Sequence, residues 1–96
     1  LRVSEVAAST RPRISVEGFV REARLDPEER IMRFKLVDKL SEVEPFVVCE
    51  ILDPASMAVP REGDRVRVYG VARFDAQPGR GWHDVNPVLR ITILED

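Results

Sequence analysis

Short stretches in which apolar and polar residues alternate constrain the fold of this chain more than any other feature. The clearest is the segment 30–38, in which Met32, Phe34 and Leu36 fall on one face. Alternation with a period of two indicates a β-strand that packs one face on a core. Several such stretches, separated by turn-forming residues at short spacings, predict a mainly β domain.

The alternating and apolar stretches divide the chain into five predicted strands. These strands cover residues 14–21, 30–38, 46–51, 65–74 and 82–94. Gly18 interrupts the first strand and predicts a bulge or a strong bend, and Pro87 predicts an edge, a bulge or a bend in the fifth. Between the third and fourth strands, Asp53 as a cap and Pro54 at a first helical position predict one short helical turn, which Pro60 ends.

Inward faces follow from the alternation. In the fourth strand we predict a core face made of Val66, Val68, Gly70, Ala72 and Phe74. In the fifth strand the residues available to the core are Val85, Leu89, Ile91 and Ile93, and we also expect Phe19, Phe34 and Phe46 inside. The third strand shows little alternation, which predicts cover on both faces and leaves its inward face open. It contains Cys49, which we interpret as a buried structural thiol.

With 96 residues, the chain has room for one domain, which we divide into an N-terminal extension at 1–12 and a barrel at 13–96. Its apolar runs are far too short to cross a bilayer, so we expect no membrane association. We expect a cytoplasmic protein, although the chain begins at Leu1, so a removed signal peptide or a neighbouring domain stays an open alternative.

Cysteine, histidine and glycine content removes most enzymatic and cofactor chemistry from consideration. One cysteine excludes an internal disulfide, and one cysteine with one histidine cannot supply a zinc site of ordinary ligand count. Phosphate-binding glycine loops, dinucleotide fingerprints and nucleophile motifs are absent from the sequence. We therefore expect a protein that is not an enzyme, with no metal and no cofactor.

Charge gives a mixed signal about partners. The chain carries 15 basic and 17 acidic residues, a formal net charge of −2, without the basic excess usual for nucleic-acid binders. Of the 15 basic residues, 13 are arginine, whose forked guanidinium suits phosphate contacts and stacking. A GC-rich genome or a heat-adapted proteome gives the same arginine bias.

Three short motifs carry a resemblance to a known fold. They are Val-Glu-Gly-Phe-Val at 16–20, Phe-Lys-Leu-Val-Asp at 34–38 and Gly-Asp-Arg-Val-Arg-Val-Tyr-Gly at 63–70. They resemble the V-x-G-x-V, F-x-L-x-D and G-D-x-V-x-V-x-G patterns of bacterial and archaeal oligonucleotide/oligosaccharide-binding (OB) domains. The resemblance covers residues 13–94 and implies a five-stranded Greek-key barrel with at most a short helix between strands three and four.

The resemblance also implies where a ligand would lie. In OB domains, ligands cross the second and third strands between the first and last connecting loops, and single strands need basic groups and flat rings there. The candidate binding residues are Arg24 in the first loop, Arg33, Lys35, Arg65, Arg67, Tyr69, Arg73, Arg80 and Trp82. The acidic Asp26, Glu28 and Glu29 in the first loop should weaken phosphate binding.

Several alternatives remain open at this stage. Arg33 and Lys35 are either ligand contacts or the solvated face of a strand, and Trp82 either stacks on bases or plugs the barrel end. The leading hypothesis is a module for single-stranded DNA or RNA with weak sequence specificity. The second is an assembly domain that docks a protein partner or a second copy through an exposed edge and the apolar residues Ile31, Val37 or Val71.

Overall fold

The computed structural model describes residues 1–94, and these form an all-β barrel. Its strands are β1 (Arg13–Leu25), β2 (Met32–Val37), β3 (Phe46–Ile51), β4 (Arg65–Asp75) and β5 (Trp82–Ile93). The order around the closed barrel is β1-β2-β3-β5-β4, and β4 pairs back onto β1. The β3–β5 pair is parallel and the others are antiparallel. This confirms the predicted fold class.

Two short 3₁₀ segments accompany the strands, at Val3–Ala8 and Pro54–Ser56. The second is the predicted turn between β3 and β4, but the Asp53 side chain makes no capping hydrogen bond, so its predicted capping role is wrong. Instead the Ser56 hydroxyl donates to the Asp53 carbonyl oxygen at 2.8 Å. No helix within the described residues has the length and apolar character needed to cross a membrane.

The core is built from alternate residues of all five strands and from the N-terminal segment. Its largest fully buried side chains are Phe34, Leu36 and Ile51, and Val3 and Val6 of the first 3₁₀ segment join the same cluster. The backbone N–H groups of Val3 and Ser4 donate to the Asp38 carboxylate at 2.7 and 3.1 Å. These bonds hold the N-terminal segment against the barrel.

Strand β3 departs from its sequence interpretation. Val47, Cys49 and Ile51 are buried while the residues between them are half-buried, so the alternation is regular and the inward face is clear. The apolar outward residue Val48 and the half-buried Phe46 obscured this pattern in the sequence. Cys49 is fully buried as predicted, and burial raises the pKa of its thiol.

Strand β5 changes phase twice along its length. Val85 lies opposite Ala72, Val88 opposite Gly70 and Ile91 opposite Val68, so three residues of β5 match two of β4 in each interval. Pro87 falls in the first interval, where its missing N–H cannot serve the ladder. These two bulges bring Val88 into the core, where it is buried.

Three predicted core residues are wrong for related reasons. Leu89 is exposed because the bulges change which residues of β5 face inward. Ile93, the last residue of β5, is exposed although its cross-strand partner Val66 is buried. Phe74 is 57% exposed, since β4 extends beyond the core at its carboxyl end. Phe34 is buried as predicted, whereas Phe19 and Phe46 are only half-buried.

Glycines at two buried positions permit close approach of neighbouring chain segments. A Cβ added at Gly70 would overlap the carbonyl oxygen of Pro87 and come within 2.7 Å of a Val85 methyl group. A Cβ added at Gly18 would lie 2.8 Å from the Val37 carbonyl oxygen. The β1–β4 register runs unbroken through Gly18, so the bulge allowed at this glycine lies instead between Arg21 and Arg24 of β1.

Candidate functional site

A groove of about 560 Å³ crosses the outer surface of the barrel where β2, β3, the carboxyl end of β4 and the start of β5 meet. The connection from β4 to β5 closes one side of it. The side chains that give the groove its chemistry are Arg33, Glu50, Arg73, Phe74, Arg80 and Asp84. This is the part of the surface that the resemblance predicted for a ligand.

Arg33 is the centre of an ion-pair network at one end of the groove. Its guanidinium donates to Glu50 Oε1 at 2.6 Å, to Glu29 Oε2 at 3.2 Å and to Asp26 Oδ2 at 3.4 Å. Glu50 is the direct cross-strand partner of Arg33, and this bond is the main reason the pKa of Arg33 is raised. Three carboxylates therefore neutralise the charge of Arg33. A phosphate that bound Arg33 would have to compete with them.

The carboxylate of Asp26 has a structural task of its own. It accepts hydrogen bonds from the backbone N–H groups of Glu28 and Glu29 at 2.9 and 3.1 Å, forming the turn between β1 and β2. These backbone bonds, from Glu29 first, and then the contact with Arg33 lower the pKa of Asp26. The acidic turn therefore contacts the groove through Arg33. This position is consistent with the expectation that its carboxylates weaken phosphate binding.

Arg80 occupies the opposite wall of the groove. Its guanidinium donates to Asp75 Oδ2 at 2.8 Å, and this bond is the first cause of the lowered pKa of Asp75. The same guanidinium lies 5.8 Å from the centroid of the Trp82 ring, in cation–π range. Asp75 and Trp82 are cross-strand partners, so the bond spans the base of the β4–β5 connection.

A row of cations and aromatic rings continues from Arg80 onto β3 and β2. The Phe46 and Trp82 ring centroids are 5.9 Å apart at a tilt of 57°, and Lys35 Nζ lies 4.5 Å from the Phe46 centroid. Lys35 also pairs with Glu22 Oε2 at 2.9 Å, which is the main cause of the lowered pKa of Glu22. We call Lys35, Phe46, Trp82 and Arg80 the cation–aromatic row.

Trp82 is half-buried and borders a shallow surface depression with Phe46 and His83. Its ring packs on Phe46 and stays open to solvent on another side. Phe74 and His83 form a second aromatic pair near it, with centroids 5.0 Å apart in an edge-on arrangement. The end of β5 that faces the groove therefore presents several flat surfaces on which a planar ligand can stack.

Asp84 is the buried polar side chain of the groove. It is 7% exposed, and its Oδ1 atom has no hydrogen-bond partner among the described residues. Burial raises the pKa of Asp84 to about 6, with further raising by the charges of Asp75 and Glu50, while Arg80 opposes the change. When the carboxyl group is ionised, its Oδ1 atom is an acceptor without a partner among the described residues.

Arg73 is the cross-strand partner of Asp84 and also lines the groove. Within residues 1–94, no carboxylate oxygen lies within salt-bridge distance of its guanidinium. By contrast, Arg33, Lys35 and Arg80 are all paired. Arg73 is thus the groove cation that meets an incoming anion without first giving up a partner.

The structure gathers five of the nine predicted binding residues around this groove and the adjoining row: Arg33, Lys35, Arg73, Arg80 and Trp82. Arg24 lies in β1 opposite Arg33, so its predicted loop position is wrong. Its side chain borders a separate depression beside the acidic turn.

The other three predicted residues lie on the β1–β4 side of the barrel. Arg65 and Arg67 of β4 pair with Glu17 of β1 at 3.4 and 2.5 Å, and the bond from Arg67 is the first cause of the lowered pKa of Glu17. The Arg90 guanidinium lies 4.7 Å from the Tyr69 ring centroid. These groups form local pairs that the groove does not include.

No protein-family model and no curated protein matches this sequence. The arrangement combines cations and one unsatisfied acceptor in an open groove with an adjoining pair of aromatic rings. Among residues 1–94, no three or more His, Cys, Asp or Glu side chains are grouped closely enough to hold a metal ion.

Sequence reasoning did not include three groove residues, Glu50, Phe74 and Asp84, or Phe46 of the adjoining row among the binding candidates. Phe46 and Phe74 were assigned to the core, although Phe74 follows the last buried positions of β4 and so could have been placed at the barrel end. Glu50 is the one acidic residue in an apolar strand, which is a usable signal. Nothing in the residue types around Asp84 indicates that its side chain is buried.

Proposed function

We propose that this chain is a binding module for single-stranded DNA or RNA with weak sequence specificity, built on an OB-like barrel, and not an enzyme. The observation that carries the proposal is the cation–aromatic row. Bases stack on aromatic side chains without sequence preference, while neighbouring cations follow the phosphates. Lys35, Phe46, Trp82 and Arg80 supply both kinds of group in one row, with two adjacent rings flanked by a cation on each side.

The position of the groove also supports the proposal. It lies outside β2 and β3, between the β1–β2 turn and the β4–β5 connection. This is the surface on which OB domains hold oligonucleotides. The groove is open, and Arg80 belongs both to its lining and to the adjoining row.

The ion pairs of the groove set the expected strength of binding. Arg33, Lys35 and Arg80 each have a carboxylate partner, so phosphates must compete with Glu50, Glu22 and Asp75. With a formal net charge of −2, long-range attraction of a polyanion is weak. We therefore expect an affinity that is modest, strongly dependent on salt and improved by a partner that brings the nucleic acid close.

Fluorescence anisotropy with labelled DNA and RNA strands of about 12 nucleotides tests the proposal. We expect binding at low salt that weakens as salt rises from about 50 to about 200 mM, with a log–log slope of about −0.7 per phosphate contacted. Double-stranded DNA of the same length should bind less well, because its bases are already stacked. Absence of binding to both single strands at low salt would overturn the proposal.

The alternative role in assembly has lost part of its basis. Val37, named as a docking residue, is buried, and Ile31 and Val71 are half-buried. Barrel closure gives every strand two neighbours, which reduces the strand edge available for docking, although β3 and β5 share only two residue pairs. Phe74 is an exposed apolar side chain that a second copy could contact. Sedimentation velocity across a range of concentrations would detect such self-association.

A further inference from the structure

Asp84 places a hydrogen-bond acceptor at the base of the groove, next to the stacking surface. It is two residues from Trp82 in β5, and residues so spaced project from the same face of a strand. Its Oδ1 atom is buried without a hydrogen-bond partner among the described residues. Buried polar atoms almost always have partners, so an acceptor left without one indicates a group that the complete complex supplies.

The surroundings of Asp84 define the chemistry of that group. Glu50 and Asp75 both act on Asp84 with negative charge, and Arg80 acts with positive charge. A phosphate would be repelled by three carboxylates at this point. A neutral planar group that donates an N–H is favoured, because it satisfies the carboxylate without adding negative charge.

Resting on the proposed function, we propose that Asp84 accepts a hydrogen bond from the exocyclic amino group of a base stacked on Trp82, so that the groove prefers cytosine to thymine. Carboxylates accept from the N4 amino group of cytosine, whereas thymine presents a carbonyl oxygen at the same ring position. The two pyrimidine rings offer similar areas for stacking. The difference between their affinities therefore measures the contribution of the hydrogen bond to Asp84.

Arg80 connects the phosphates of a bound strand with the surroundings of Asp84, because its positive charge acts on that carboxyl group. Its side chain is 44% exposed and is held by Asp75, the carboxylate at the carboxyl end of β4. A phosphate that pairs with Arg80 draws the guanidinium outward, away from the charge of Asp84. Phosphate contact and base recognition are then coupled, because the cation that binds the phosphate also acts on the charge of the acceptor.

The test compares labelled oligo(dC) and oligo(dT) of about 12 nucleotides at pH 7.5, with oligo(rC) and oligo(rU) as the RNA pair. We expect the wild-type chain to bind the cytosine strand about tenfold more tightly than its thymine or uracil counterpart. Asp84→Asn, which adds an N–H donor suited to a carbonyl, and Asp84→Ala should both abolish this preference while leaving oligo(dT) affinity within about twofold.

Asp53→Asn is the matched control, since it removes the same charge from an exposed residue outside the groove. It should keep the preference for cytosine. Equal binding of the two pyrimidine strands by the wild-type chain would overturn the assignment of Asp84 while leaving the proposed function intact. A preference that survives in both Asp84 variants would also overturn it, and failure of every strand to bind would overturn the proposed function itself.

Discussion

Arg73 and Asp84 are direct partners across the β4–β5 ladder, and both side chains line the same groove. One is a guanidinium without a salt-bridge partner in the described chain, and the other is a buried carboxylate with an oxygen left over. By contrast, the opposite charges of Arg33 and Glu50, which also face each other across a ladder, are joined by an ion pair. The groove thus contains one cation without a salt bridge and one acceptor without a hydrogen bond among the described residues.

Asp84→Asn should stabilise the protein above pH 6 and have less effect as the pH falls to 4. Burial raises the pKa of Asp84 to about 6, above its value in the unfolded chain, so folding takes up a proton between these values. The wild-type carboxyl therefore contributes stability at low pH that is lost as the pH rises through about 6. We expect the variant to gain about 1 to 3 kcal/mol of unfolding free energy at pH 8, measured by urea denaturation.

Other carboxyls in this fold have opposite behaviour, which makes the difference between the two proteins the informative quantity. The pKa values of Glu17, Glu22, Asp26 and Asp75 are lowered by their partners, so these groups lose stability only as the pH falls through lowered values. The contributions of Glu17, Glu22 and Asp26 are the same in both proteins and cancel, whereas Asp75 feels the change at Asp84 directly. A difference that stays constant from pH 4 to pH 8 would contradict the role given to Asp84.

Arg73→Ala should weaken binding to single-stranded DNA and make it less dependent on salt. Arg73 has no salt bridge to a carboxylate in the described chain. Its contact with a phosphate therefore breaks no ion pair and releases the full number of counterions. The log–log salt slope should become shallower by about 0.7. Arg67→Ala is the matched control, since Arg67 pairs with Glu17 outside the groove, and its slope should equal that of the wild-type chain.

Trp82 offers a direct optical test, because it is the single tryptophan of the chain. Stacking of a base on the indole should quench its fluorescence in proportion to the bound fraction. Trp82→Ala should lower the affinity about tenfold, within the range that one lost base stack allows. Tyr69→Ala removes an aromatic ring from the other side of the barrel and should leave the affinity unchanged; an equal loss in both variants would point to unfolding.

Gly70→Ala should destabilise the barrel severely. The added methyl group would overlap the Pro87 carbonyl oxygen and press on Val85, and a strand in the barrel wall cannot move away. We expect a loss of about 3 kcal/mol in thermal or urea unfolding. Gly79→Ala meets no neighbouring atom and pays only for its positive φ of 81°, so a loss of about 1 kcal/mol is expected there.

Local alternation was enough to predict most of the fold. The bounds of β3 at 46–51 and the single turn at Pro54 follow from residue type and spacing alone, and the structure confirms them. The faces of β5 could not be predicted in the same way. Each bulge depends on how β5 fits against β4, and a period-two pattern read along one strand carries no information about its partner.

The candidate site was less predictable than the fold. Arginines and the tryptophan on outward positions could be proposed from residue type, and five of nine lie together. The sequence does not show that Glu17 lies beside Arg65 and Arg67, because β1 and β4 are far apart along the chain. Asp84 shows the same limitation, since its burial comes from several strands and from the β4–β5 connection.

The barrel closes between β3 and β5 through only two residue pairs, Val48 with Asp84 and Cys49 with Val85. Amide groups along this short seam should exchange with solvent sooner than those of the long β1–β4 ladder, because fewer bonds must break to open it. The groove lies directly over the seam. A nucleic-acid strand bound to both β3 and β5 would hold the two strands together and slow the opening of the seam. Slower hydrogen exchange at the Cys49 and Val85 amides would then report that the groove is occupied.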